Sequence, residues 1–154
     1  MRPGTQRLVA ETSGLLLDTH VWIWLMEQDD RLHLTARQAI DRAAQGPYGV
    51  HISAISTWEV GMLAVKDRIR LSMAPLDWVQ TALAQRGVRL LPLSPEVVIA
   101  STNLPGSFHG DWADRMLVAS CRLHDLALVT ADSRILEYGQ GHHLKLLKAS
   151  SPQG

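Results

Sequence analysis

Two short apolar runs, each closed by a carboxylate, set the frame for this chain. One is Leu15-Leu16-Leu17-Asp18 near the start. The other is Ala127-Leu128-Val129-Thr130-Ala131-Asp132 near the end. Each is too short for a helix and too uniformly apolar for a strand with one wet face. Both therefore read as buried strands that turn directly into a helix. Between them, helical patterns alternate with further strand-like runs. Helical spacing recurs at Ala36, Ala39, Ile40 and Ala43 and is stopped by Gly46-Pro47. A strand is expected over 50–55. Ser56-Thr57-Trp58-Glu59 then reads as a capping box that opens a helix ending at Lys66-Asp67-Arg68. Pro75 begins a helix through Gln85, with Leu76, Val79 and Leu83 on its apolar face and Gly87 beyond its end.

Residues 88–93 form the next strand, and Ser94-Pro95-Glu96 opens a short helix through Ala100. A polar loop covers 103–110. A helix then starts at Asp111 or Ala113 and ends near His124-Asp125, with Met116, Leu117, Ala119, Ser120 and Leu123 facing inward. Residues 127–130, 133–138 and 144–147 read as strand, short helix and edge strand. Strands alternating with helices predict an α/β fold: a three-layer α/β/α sandwich around a mainly parallel sheet of four to five strands. Right-handed crossovers would place every strand-to-helix turn on one edge, where ligands of such sheets bind.

The 154 residues suffice for one domain with a sizeable core. It is assigned to 14–148, with residues 1–13 read as a loose extension and 149–154 as a tail. Fifteen basic and fifteen acidic residues give a formal net charge of +0, which excludes a generally basic nucleic-acid-binding surface and leaves a local basic patch open. Cys121 is the only cysteine, so no intrachain disulfide can form. Its apolar helical setting suits a buried structural thiol, and the composition suits a reducing, cytoplasmic compartment. No apolar run approaches the ~20 residues that span a bilayer, so no membrane association is expected.

Four acids fall on the ligand-binding edge: Asp18 after the first strand, Glu59 and Asp114 in the first turns of their helices, and Asp132 after the fourth strand. Crowded carboxylates repel unless a cation neutralises them. Oxygen ligands without His or Cys suit Mg²⁺ or Mn²⁺, which promote phosphodiester hydrolysis. Each acid also has a plainer reading as a helix cap. Thr19 is read chiefly as a cap, with orientation of Asp18 as its alternative. Thr130 is open between the same two roles. Asp111 is an auxiliary, read as a cap first and an outer contact to ion or water second. Arg115 is expected to pair with Asp111, with substrate phosphate as the alternative.

The segments Leu16-Leu17-Asp18-Thr19-His20-Val21-Trp22, Ser53–Glu59, Asp111–Ala119 and Leu128–Asp132 resemble, in order and spacing, the successive motifs of PIN-domain proteins. They are most similar to the VapC-type toxins of bacterial toxin–antitoxin pairs, and the match spans about residues 15 to 147. The resemblance implies a Mg²⁺- or Mn²⁺-dependent ribonuclease that cleaves RNA as a homodimer and is inhibited by a small VapB-like antitoxin. It places the family's four acids on Asp18, Glu59, Asp114 and Asp132. The subgroup usually has Pro after the acid that stands here as Asp111, followed by an aromatic. This chain has Trp112 and Ala113, which loosens the expected helix start. Trp22, Trp24 and Trp58 fall on helices near the acids. Core packing accounts for most of them, with an apolar groove for an antitoxin helix as the alternative. Two other functions stay open: a different metal-dependent nuclease or phosphohydrolase on the same acids, and a catalytically silent binding module whose acids are only caps.

Overall fold

The computed structural model describes residues 13–150, and the remainder of the expected extension and tail lies outside them. Ser13 and Ala149 are buried at the two limits of the described chain. Five strands form one parallel sheet: β1 (Leu15–Leu17), β2 (Val50–Ser53), β3 (Val88–Leu91), β4 (Ala127–Thr130) and β5 (Lys145–Lys148). Seven helices accompany them among the described residues: α1 (Thr19–Met26), α2 (Leu34–Gln45), α3 (Ala54–Val65), α4 (Pro75–Leu83), α5 (Pro95–Thr102), α6 (Trp112–His124) and α7 (Ser133–Gly139).

Side chains alternate across a strand, and this alternation divides the core into two. Leu15 and Leu17 of β1 pack with Ala127 and Val129 of β4 on one face, against Val21 and Trp22 of α1, Ala36, Ala39, Ile40 and Ala43 of α2, and Trp78 of α4. Leu16 and Leu128 face the other way. They pack on Leu117 and Val118 of α6, Val97 of α5 and Ile135 of α7. These are the three layers the strand–helix alternation predicts.

The strand order is β3-β2-β1-β4-β5. The chain winds outward from β1 to β3, then returns to the other side of β1. The direction of winding therefore reverses between β1 and β4, the place where open parallel sheets present a crevice at their carboxyl ends. The Asp18 amide donates to Val129 O across this junction at 3.0 Å.

Several boundaries and faces differ from expectation. The strand expected over 50–55 ends at Ser53, because the Ser53 hydroxyl accepts the Ile55 amide at 3.1 Å and starts α3 at Ala54. Strand β3 stops at Leu91, just ahead of Pro92. Leu76, expected on the apolar face of α4, is 67% exposed, and Trp78 and Ala82 are the buried residues instead. In α6 Leu117, Ala119 and Ser120 are buried as expected, joined by Ala113, Val118 and Cys121, while Leu123 is exposed. Despite lacking Pro at its first position, α6 starts cleanly at Trp112, with Asp111 Oδ1 accepting the Asp114 amide at 2.9 Å. Cys121 is buried, and burial raises its thiol pKa, in keeping with a structural role.

Candidate active site

All four predicted acids reach the carboxyl edge of the sheet. Asp18 occupies the N-cap position of α1, yet its side chain makes no cap bond. Its Oδ2 instead accepts the Thr130 hydroxyl at 2.6 Å, within the buried switch-point junction. Thr130 Oγ1 also accepts the Asp132 amide at 3.0 Å, so one side chain fixes both acids. Glu59 sits in the second turn of α3. Its Oε1 accepts the Thr19 hydroxyl at 2.6 Å, and Ser56 Oγ lies 2.8 Å from that same hydroxyl. Asp114, in the first turn of α6, is buried. Asp132 caps α7, its Oδ1 accepting the Arg134 amide at 2.8 Å and the Ile135 amide at 3.3 Å.

Asp18, Glu59, Asp111, Asp114 and Asp132 line one cavity of about 290 Å³. His20, Trp24 and Arg134 line it too. The crowding has an electrostatic cost. Burial, then the charges of Asp111, Asp18, Asp132 and Glu59, push the Asp114 carboxyl up to about 7. Burial raises Asp18, and the Thr130 hydroxyl and the charge of His20 draw it partly back. Glu59 is raised by burial and by the charges of Asp18 and Asp111, against the lowering effect of the Thr19 hydroxyl. Neutral hydroxyl donors thus hold these carboxylates in place but do not cancel their repulsion.

Three expectations are corrected at this rim. Ser56 and Glu59 form no capping box: Ser53 caps α3 upstream, Ser56 is fully buried against Thr19, and Glu59 turns to Thr19. Thr19 accordingly does not cap α1 but holds Glu59. Arg115 does not pair with Asp111. Its Nε donates to Ser101 O at 2.8 Å and its Nη1 to Phe108 O at 3.1 Å, pinning the 103–110 loop to α5 and α6. The cation over the rim is Arg134, two residues past Asp132, with Nη2 at 3.8 Å from Asp114 Oδ2 and 3.7 Å from Asp132 Oδ2. The sequence held the same signal that drew attention to Arg115: a basic residue in the first turn of a helix opened by an acid. Asp111 acts as the cap expected of it.

The donor set fits a hard divalent cation. It is oxygen only, and an added positive charge would relieve the carboxylate repulsion that, after burial, raises Asp114. Among the described residues no three His, Cys, Asp or Glu side chains stand ready in ligand geometry. Asp18, Glu59 and Asp132 each have one oxygen engaged by a hydroxyl or an amide. A carboxylate retains acceptor capacity beyond one such bond.

The wider likenesses agree with this topology. A crystal structure of VapBC2 from Rickettsia felis, bound to a DNA fragment from its promoter, superposes with a TM-score of 0.60 at 14% identity, covering 88% of this chain and 98% of that one. A toxin–antitoxin complex from Klebsiella pneumoniae superposes with a TM-score of 0.53 at 22% identity, covering 78% and 88%. At these identities the likeness speaks to the fold. Closer in sequence is Ribonuclease VapC22 of Mycobacterium tuberculosis (strain ATCC 25618 / H37Rv), 39% identical over 121 residues that span 79% of this chain and 88% of that protein. The PIN domain family model matches residues 15–140, from the first residue of β1 to just past the end of α7. The chain belongs to the PIN domain family.

Proposed function

We propose that this chain is a divalent-cation-dependent endoribonuclease, acting in the cytoplasm as the toxin of a toxin–antitoxin pair. The observation that carries the reading is the convergence of Asp18, Glu59, Asp114 and Asp132 on one cavity at the switch point, with the Asp114 carboxyl pushed up to about 7 by burial and by the charges of its neighbours. The 39% identity to a protein named as a ribonuclease supports RNA as the substrate. The structural neighbours named as VapBC and toxin–antitoxin complexes support an antitoxin partner.

Asp18, Glu59, Asp114 and Asp132 would hold the ion. When bound, Mg²⁺ or Mn²⁺ supplies charge neutralisation and Lewis acidity for phosphodiester hydrolysis. The chain's own residues supply position. Thr130 fixes Asp18 and Asp132 relative to each other, and Thr19 fixes Glu59. Asp111 fixes the start of α6 and with it Asp114. The largely buried cluster strengthens every charge interaction within it. A homodimer is part of the proposal. Exposed Trp58 and Trp112, packed edge to face at 5.0 Å on neighbouring helices, offer apolar area for a second copy or an antitoxin helix.

The test uses purified protein free of antitoxin, offered RNA, single-stranded DNA and mononucleotides with Mg²⁺, Mn²⁺ or EDTA. Cleavage of RNA that needs Mg²⁺ or Mn²⁺ is the expected result. RNA left intact under every condition would sink the reading. Preferential turnover of DNA or mononucleotides would move it to another phosphohydrolase on the same acids.

A further inference from the structure

Among the described residues, Arg134 is the one lysine or arginine lining the acidic cavity. Its surroundings differ from those of the other arginines near by. Arg115 donates to two carbonyls, and Arg31 donates to both oxygens of Asp29. The guanidinium of Arg134 lies 3.7–3.8 Å from Asp132 and Asp114, beyond ordinary hydrogen-bond length, and the side chain is 56% exposed. Its backbone, by contrast, is fixed, because its amide donates to Asp132 Oδ1 at 2.8 Å. A long cationic side chain is therefore anchored at its root and held at its tip only by charge.

We propose that Arg134 is a substrate-phosphate-binding residue that serves as an internal counter-ion while no divalent cation is bound. The inference rests on the ribonuclease reading. The physical problem is the approach of a polyanion to five carboxylates in a chain of zero net charge. The net charge supplies no overall attraction, and the rim itself repels a phosphate. A divalent ion offsets part of that repulsion, and a further cation on the cavity wall must face the phosphate. Arg115 is committed to carbonyls, and among the described residues His20 is the only other basic side chain on the wall. A guanidinium matches phosphate oxygens in pairs and is weakly hydrated, so it can exchange one anion for another at small cost. Without the ion, Asp114 and Asp132 attract Arg134. With the ion bound, that attraction weakens and the guanidinium turns to the phosphate.

The two roles make opposite demands, which gives a distinctive test. Arg134→Ala and Arg134→Gln are compared with the wild type in three measurements: Mn²⁺ binding by calorimetry, binding of a 2′-O-methylated RNA that resists cleavage, and kcat and KM on unmodified RNA. The amide cap on Asp132 survives both substitutions, and melting curves confirm the fold. Both variants are expected to bind Mn²⁺ at least as tightly as the wild type, about 3-fold tighter once the competing cation is gone. They are expected to bind the modified RNA about 10-fold more weakly, with most of the kinetic loss in KM. The slope of log affinity against log salt should flatten by about 0.7, as for the loss of one phosphate contact to a single strand. Arg134→Lys should recover part of the RNA affinity. Unchanged RNA affinity and salt slope, in a wild type that cleaves RNA, would overturn this inference alone. So would weaker Mn²⁺ binding by the variants, since Arg134 would then be a support for the acids. A wild type that neither binds nor cleaves RNA would overturn the ribonuclease reading itself.

Discussion

Asp18 and Glu59 are each held by a threonine hydroxyl, whereas Asp132 is held by the backbone amides it caps, Asp114 has only its own amide fixed, by Asp111, and both are faced by an arginine. The first pair is anchored from behind, in the switch-point junction and between α1 and α3. The second pair stands on the starts of α6 and α7. The difference separates two tasks. A hydroxyl fixes a carboxylate in direction and leaves its charge in place. A loosely held guanidinium does the reverse: it offsets charge without fixing direction. An acidic centre that is to accept a cation needs ligands that do not wander and repulsion that is not relieved in advance. The hydroxyl half meets both needs, and the arginine half can be rearranged when a cation or a phosphate arrives.

The largest effect should come from Asp114, where the two halves meet electrostatically. Asp114→Asn keeps the shape of the side chain and removes one charge from the cluster. RNA cleavage is expected to fall by at least about 100-fold, on the scale of losing an essential electrostatic group. Stability should move the other way. The folded protein holds the Asp114 carboxyl near 7 against an ordinary 3.8, so the folded state binds this proton more tightly than the unfolded state. Without a divalent cation, stability is therefore full below about pH 4 and is lost as pH rises towards 7, by about 1–3 kcal/mol after screening by solvent. Asp18 and Glu59 are raised as well and add to the same trend. Urea titrations from pH 4 to 8 should show this decline in the wild type, a shallower one in Asp114→Asn, and near-flat behaviour with saturating Mn²⁺. A folded variant that keeps full cleavage would reduce Asp114 to a bystander in the first turn of α6.

The threonines give the next effect and test the anchored half directly. Thr130 serves both halves, donating to Asp18 and accepting from the Asp132 amide, and it is fully buried. Thr130→Val keeps the volume and strips both bonds, leaving a buried carboxylate and an amide unpaired. A cost of about 2–4 kcal/mol is expected. Thr19→Val removes the donor to Glu59 from a less buried acid, and about 1–2 kcal/mol is expected there. Denaturant midpoints at pH 7 rank the two. Should Thr19→Val prove the more damaging, the anchor would lie between α1 and α3, and the junction of β1 with β4 would be secondary.

What the sequence disclosed follows from what short-range chemistry determines. Strands β1 and β4 were legible because an unbroken apolar run flanked by polar residues has few alternatives, and β4 falls on the expected 127–130. The acids were legible as a set because the parallel topology sends every strand end to one edge. The start of α3 was not, since Ser53 and Ser56 carry equal capping chemistry and only the packing of Ser56 against Thr19 distinguishes them. Arginine was misread at Arg115 and passed over at Arg134, for one reason. Its long side chain reaches several partners from one position, so a place one helical turn from Asp111 says little about Arg115, and Arg134 is as well placed by its position in α7. Tryptophan gave a similar ambiguity: Trp22 is 1% exposed and Trp58 is 48% exposed, although each sits on a helix beside an acid. Burial there is set by which neighbouring helix covers the residue, and that is decided by the whole fold.

The smallest effect concerns Asp111, which belongs to both descriptions: it caps α6 through Oδ1, and its charge is the first among those that raise Asp114. Two substitutions separate the cap from the charge. Asp111→Ala removes both and should cost about 1 kcal/mol, the usual loss for an N-cap. Asp111→Asn keeps an oxygen to accept the Asp114 amide and removes the charge, so stability should change by no more than about 0.5 kcal/mol. The same substitution should lower the Asp114 carboxyl from about 7, which carbon-detected NMR titration of the cation-free protein reads directly. If Asp111 is only a cap, Asp111→Asn cleaves RNA as the wild type does and Asp111→Ala falls in step with its stability. A variant that keeps its stability but loses cleavage about tenfold places the Asp111 carboxylate in contact with the ion's surroundings, on the scale of an outer-shell partner. The anchored half would then extend to a fifth acid, fixed by the helix it caps.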